Sequence, residues 1–339
     1  LAETLLNAYA PLLLWMGLGL LLLRLLPAQL PRLLGRGLYW VGVPLQILAL
    51  ARQTDFSGSI WLPPLITVGV LLLGLGLVLL GLQMVGRLAP KWLSPPTPNR
   101  LEHQDLTLSL NPLQLDSPQT EPSAAARRGS LVLSSILGNT GFVGLGIAPS
   151  LVADPYLGWL VLYSVTHNVI GSYGMGVFIS SYFGRPRTGG HWWWQLRDVL
   201  TVPSLWAFTF GWLSRTWIFP EIIESGLHAS VGLIIPAAFL LTGMRLSQLP
   251  GLKGLRIALL PAMFKVVVLP GLTGLALRVW GLPMEVCLAL VLMSGMPTAF
   301  ASLILAEEYN LDRELTAGSI ALSTAGVLVM IPVWLSLFR

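Results

Sequence analysis

The sequence predicts an all-α polytopic membrane protein, with ten transmembrane helices arranged as two inverted five-helix repeats. Three observations predict it. Apolar runs of about 20 residues, the length needed to cross a bilayer core, recur from end to end. Lys and Arg alternate from side to side between those runs. Two of the runs are interrupted at mid-depth, at corresponding places in the two halves.

Composition sets the class first. Charged residues make up 10% of the 339 residues and apolar ones 54%. An ordinary soluble domain carries about 25% charge. The mean hydropathy is +0.74. A membrane β-barrel would instead show short alternating segments. The pI near 9.7 follows from basic residues in short loops between spans, so nucleic acid is not an expected partner. The one cysteine, Cys287, lies in an apolar run, which excludes an intramolecular disulfide and gives no thiol metal site. The first apolar run is too long for a cleaved leader and reads as a first span.

The ten spans fall at 4–27, 35–52, 60–87, 129–151, 155–183, 198–217, 228–246, 253–279, 283–306 and 313–338. Residues 1–87 hold spans one to three. Residues 88–128 form a polar loop with Ser94-Pro-Pro-Thr-Pro98 and Arg127-Arg128, flexible or partly helical. Residues 129–183 hold spans four and five, 184–197 connect, and 198–339 hold spans six to ten as the second repeat. With the N-terminus outside, 15 of the 20 Lys and Arg fall in cytoplasmic segments. Four (Arg52, Arg215, Arg278 and Arg339) fall outside, and Lys265 lies within a span. The positive-inside rule then places both termini outside, in a plasma (inner) membrane protein. The run His191-Trp-Trp-Trp194 reads as an interfacial anchor.

Five spans per half is an odd number, so the second half enters the membrane from the opposite side. Span two carries Val43-Pro44-Leu-Gln46 and span seven Ile235-Pro236-Ala-Ala. Span four is interrupted by Gly138-Asn139-Thr140-Gly141-Phe142 and span nine by Met296-Pro297-Thr298-Ala299-Phe300, with Thr and Phe at matching offsets. Backbone groups freed by a break must find partners inside the bilayer, so breaks persist where they line a polar cavity or pack in protein. Half-helix N-termini offer N–H groups to an anion, and C-termini offer carbonyls to a cation. Paired interrupted spans point to a transport site. Pro297 as a packing kink, and the glycines as close-packing residues, are the alternatives.

The run Gly138-Asn-Thr-Gly-Phe-Val-Gly-Leu-Gly-Ile147, the run Met296–Ala306 followed by Tyr309-Asn-Leu-Asp312, and Ala321–Thr324 through Ile331–Trp334 recur together. With Pro44, Asn168 and Pro203 they resemble the auxin efflux carrier family, a relative of the bile acid:sodium symporters. The similarity runs in order along nearly the whole chain. It implies that helices four and nine break and cross near the bilayer centre. It also implies a scaffold and a mobile unit that move past each other in an elevator-like way. Plant members export the auxin anion, and bacterial members are associated with malate, malonate and similar carboxylates. The family also implies a homodimer. Where the family carries Pro after the Gly-Leu of the first crossover, this chain has Gly146, with Pro149 three residues on.

Asn139 and Thr140, with Gly141, are the foremost candidates for substrate contact, because an amide can donate to a carboxylate or accept toward a cation. Pro297 and Thr298 form the second half of the crossover. Asn168 is either a ligand or the donor of a helix–helix hydrogen bond, worth about 0.6 kcal/mol. Gln46 and Ser323–Thr324 are further candidates. Lys265 sits mid-span. It attracts an anion, compensates carbonyls at a break, or snorkels to the interface. His167 either titrates near neutral pH or is a neutral core histidine.

The expected function is secondary transport of a small organic anion, such as a carboxylate or auxin-like acid, outward by alternating access. The alternatives are a sodium-coupled organic anion importer and a non-transporting ligand-binding membrane sensor. Carboxylates cluster at span ends, at Glu307, Glu308, Asp312 and Glu314 and at Asp154, Glu221, Glu224 and Glu285. This weakens an Asp/Glu proton relay and leaves Na⁺ or H⁺ coupling open. No cofactor, metal or catalytic residue is expected. The GNTGFVGLG run follows no strand and lacks the Lys and Ser/Thr of a phosphate loop.

Overall fold

The computed structural model describes residues 2–22, 27, 29–53, 61–88, 122–184, 203–247 and 255–338. Most of the 88–128 loop, the His191–Trp194 run and several of the basic residues in the orientation argument (Arg24, Lys91, Arg100, Arg185, Arg187, Arg197, Lys253 and Arg339) lie outside the described residues.

Helix dominates, in twelve pieces. They are α1 (Ala2–Leu22), α2 (30–53), α3 (Leu62–Leu88), α4 (Ala124–Ile136), α5 (140–150) and α6 (154–183). They continue with α7 (Pro203–Ser214), α8 (Glu221–Ser247), α9 (255–279), α10 (Met284–Ser294), α11 (Phe300–Glu308) and α12 (Arg313–Phe338). Helix occupies each of the ten expected stretches, and the fourth and ninth are indeed interrupted, between α4 and α5 and between α10 and α11. Among the described residues, five continuous stretches are long and apolar enough to cross a membrane: Leu30–Arg52, Leu62–Met84, Glu221–Ser247, Leu255–Val279 and Arg313–Phe338. Apolar side chains such as Leu14, Leu65, Leu72 and Leu233 stand exposed on these helices and on α1, as a lipid-facing surface requires.

One boundary moves. Helix α4 starts at Ala124, so Arg127 and Arg128, read from sequence as loop, lie in its first turns. Ser123 caps it, accepting from the Ala126 N–H. Arg127 then reaches Asp312 at 3.4 Å. Asp312, read as a span-end carboxylate, is buried and caps α12 by accepting from the Leu315 N–H at 2.9 Å.

Widened π-helical turns interrupt α2 at Leu38–Gly42, α5 at Thr140–Gly144, α6 at His167–Gly176 and α9 at Phe264–Val268. Two have a direct cause. Pro44 and Pro270 each follow such a turn by two residues, and each removes an N–H that the regular ladder would use. The α6 turn holds Gly171, Gly174 and Gly176.

The helices group by their neighbours. α1 packs along α8, α7 along α2, and α8 also on α2. The remaining helices form a second group, in which α9 packs on α12 and α10, α4 on α6, α12 and α3, and α10 on α6. α10 lies at its heart, with every residue from Val286 to Ser294 buried. A helix that is apolar all round belongs in such a core. Polar bonds join the two groups at two described places. Tyr9 on α1 donates to the Leu328 carbonyl at 2.8 Å, and Gln46 on α2 donates to the Leu145 carbonyl at 3.1 Å.

Candidate functional site

The two interruptions meet. Helix α4 ends at Ile136 and Leu137 turns extended; Gly138, Asn139 and Gly141 are poor helix formers. Helix α10 ends at Ser294, because Pro297 cannot donate to the ladder and disfavours helix in the residue before it. Gly138 and Thr298 then pair as an antiparallel bridge. Asn139 N donates to the Pro297 carbonyl at 2.6 Å, and Ala299 N donates to the Leu137 carbonyl at 2.9 Å.

Side chains partner several of the other freed groups. His167 of α6 accepts the Gly138 N–H through Nε2 at 3.2 Å, and Ser323 of α12 accepts the Thr298 N–H at 2.9 Å. The Thr298 hydroxyl donates to the Ser134 carbonyl, and Lys265 Nζ to the Ser294 carbonyl, both at 2.8 Å. So each backbone N–H of the bridge pair, and one carbonyl near the end of each first half-helix, has a side-chain partner. His167 is buried, and its Nε2 also lies 3.4 Å from the Ile136 carbonyl oxygen, so which of the two groups it bonds is set by the ring tautomer. Lys265 is 1% exposed. Of its three sequence readings, snorkelling is therefore overturned, and the contact to Ser294 matches carbonyl compensation.

Asn139 is the N-cap of α5. Its Oδ1 accepts from Phe142 N at 3.2 Å and Val143 N at 3.4 Å. Its carbonyl-side oxygen thus serves the fold, while Nδ2 is the donor left for other partners. Thr140 is fully buried. Its hydroxyl lies 3.5 Å from both Ser164 Oγ and Asn168 Nδ2. Asn168, half-buried, donates to the Ser164 carbonyl at 2.8 Å and packs beside Gly141. Ser164 was missed from the sequence, although it lies one helical turn before Asn168. The crossing therefore brings together Asn139, Thr140, Gly141, Asn168, Pro297, Thr298 and Lys265. Gln46 is set apart, bonded to Leu145 further along α5.

Gly146 also has a steric account. A Cβ there would lie 2.8 Å from Phe239 Cζ and 3.1 Å from Cε1, and Phe239 of α8 is buried. Glycine allows α5 to approach the proline-containing helix α8 closely.

The field follows from the helix ends. α4 and α10 bring C-terminal, partially negative ends to the crossing, and α5 and α11 bring N-terminal, partially positive ones. No side chain caps the N-terminus of α11 at Ala299.

Residues 191–335 match the family model described as membrane transport protein. An uncharacterised transporter of Methanocaldococcus jannaschii is 28% identical over 218 residues, 61% of this chain and 67% of the relative. An uncharacterised transporter of Methanothermobacter thermautotrophicus is 25% identical over 227 residues, 62% of this chain and 70% of the relative. These matches are to membrane transport proteins.

Proposed function

We propose that this transporter is a secondary carrier that exports a small organic anion, a carboxylate or auxin-like acid, by alternating access around the crossing of α4–α5 with α10–α11. The observation that carries the reading is the Gly138–Thr298 bridge. It holds two interrupted helices together where four half-helix ends meet, an arrangement suited to binding a small charged ligand.

Two further observations favour it. The neighbour pattern survives exchange of each span for the one five places later: first on seventh matches sixth on second, third on fourth matches eighth on ninth, and fourth on tenth matches ninth on fifth. That is the pattern expected of ten crossings in two inverted repeats. The helices also divide by their packing into two groups, as a scaffold and a mobile unit would.

In this reading the anion sits at the Asn139–Thr140–Gly141 turn, facing Asn168, with Pro297 and Thr298 across the bridge. Asn139 Nδ2 and the uncapped first turn of α11 are the donors. Export of an anion down the membrane potential gains about 2.3 kcal/mol per charge per 100 mV. The test is flux of labelled indole-3-acetate and malate in proteoliposomes, with an imposed potential, with and without Na⁺. Potential-driven flux without sodium is expected. Flux that requires a sodium gradient selects the sodium-coupled importer instead. Ligand-raised stability with no flux of any probe selects the sensor.

A further inference from the structure

We propose that the Lys265 ammonium is a resident cation of the crossing: it fills the place where half-helix carbonyl ends would otherwise hold a free monovalent ion, so that the carrier cycle runs without one. The second half of this statement rests on the carrier reading above; the first half stands on geometry alone.

Lys265 lies in the widened turn of α9 and is 1% exposed. Its Nζ donates at 2.8 Å to the carbonyl of Ser294, the last residue of α10. It also abuts the other break. A Cβ placed on Gly138 would lie 2.9 Å from both Cε and Nζ of Lys265, and 3.4 Å from the Met296 carbonyl oxygen. The ammonium therefore sits between the C-terminal end of α10 and the residues that follow α4. Both helix ends carry partial negative charge. Among the described residues Lys265 takes part in no ion pair, so carbonyl oxygens and helix ends are its counter-charge. In transporters with broken helices, such carbonyls and C-terminal ends are what coordinate a coupling Na⁺. A lysine presents the same single charge with three donors and no acceptor. Being covalently attached, it cannot be released on either side of the membrane.

The chemistry also accounts for Gly138. A Cβ there would displace the end of the Lys265 side chain, whose Nζ donates to the Ser294 carbonyl. Glycine at the break and lysine on the neighbouring helix are two parts of one device.

The experiment uses the full chain purified in detergent, melted in matched sodium chloride and choline chloride. Wild type is expected to melt at the same temperature in both, within about 1 °C. Lys265→Ala is expected to melt lower in choline and to recover saturably with Na⁺, by on the order of 3 °C at saturation. Lys265→Met fills the volume of the stem without charge and is expected to stay low in both salts. A wild-type midpoint that rises saturably with Na⁺ would overturn the proposal, and so would a Lys265→Ala midpoint indifferent to Na⁺. If Lys265→Ala does not fold, equilibrium dialysis of the wild type with radiolabelled sodium decides: no saturable binding supports the resident cation, and stoichiometric binding overturns it. Failure of the carrier reading looks different. It shows as no flux of any probe while these sodium responses hold.

Discussion

Gln46 of α2 donates its side-chain amide to the carbonyl of Leu145 on α5 at 3.1 Å, and the bond crosses from one helix group to the other. Gln46 is buried, so water does not replace the bond when it is cut. Gln46→Leu is expected to leave the Leu145 carbonyl unpaired and to cost about 1–3 kcal/mol. Thermal denaturation in detergent measures it. An unchanged midpoint would show that the bond contributes nothing to holding the two groups together.

Asn139 has two separable roles. Its Oδ1 caps α5, and its Nδ2 is the proposed donor to the anion. Asn139→Asp keeps a capping oxygen at a helix N-terminus, where a carboxylate is favoured, but loses the amide donor and adds a repelling charge. It is expected to melt within a few degrees of wild type and to lose carboxylate binding at least tenfold, about 1.4 kcal/mol. Asn139→Ala loses both roles and is expected to cost about 1–2 kcal/mol in stability as well. Thermal-shift titration with malate and indole-3-acetate separates the two. Carboxylate binding retained by the Asp variant would remove Nδ2 from the site.

Gly146 and Phe239 are sterically coupled. Gly146→Ala places a methyl 2.8 Å from the Phe239 ring and is expected to destabilise by about 1–3 kcal/mol. Phe239→Leu removes the ring edge. The double variant is expected to recover at least about 0.5 kcal/mol relative to the sum of the singles. Strict additivity in the cycle would mean that the two residues do not oppose each other.

Asp312 joins α4 to α12. Its Oδ1 caps α12 through the Leu315 N–H, and its Oδ2 faces Arg127, with the two side chains only 8% and 11% exposed. Asp312→Ala loses cap and charge together. Asp312→Asn keeps the cap and loses the charge. The Ala variant is expected to be the less stable of the two by about 1 kcal/mol, the worth of the cap. Equal midpoints for the two variants would place the whole contribution of Asp312 in its charge.

The places where helix runs and where it breaks were legible in the sequence, because both are local. Apolar length marks a span, and Gly138, Asn139 and Pro297 each break helix through their own covalent chemistry. Asn139, Thr140, Pro297 and Thr298 could be named on those grounds. What partners the break was not legible. That Ser323 would take the Thr298 N–H, or Lys265 the Ser294 carbonyl, depends on how separate helices pack. The pairing of Gly138 with Thr298 was not legible either, because a bridge is set by backbone geometry and not by matching side chains. Arg127 looked like loop for a related reason. The partner that holds it, Asp312, is distant in sequence, and a charged first turn is hard to tell from a polar loop.

Two of the bonds that join the crossing run between main-chain atoms: Asn139 N to Pro297 O, and Ala299 N to Leu137 O. Main-chain bonds do not specify which side chains stand beside them. Those two bonds can keep their geometry while the side chains next to them change. Under the proposed function, selection for a new solute acts on the Asn139–Thr140 turn and on Asn168 and leaves these two main-chain bonds in place.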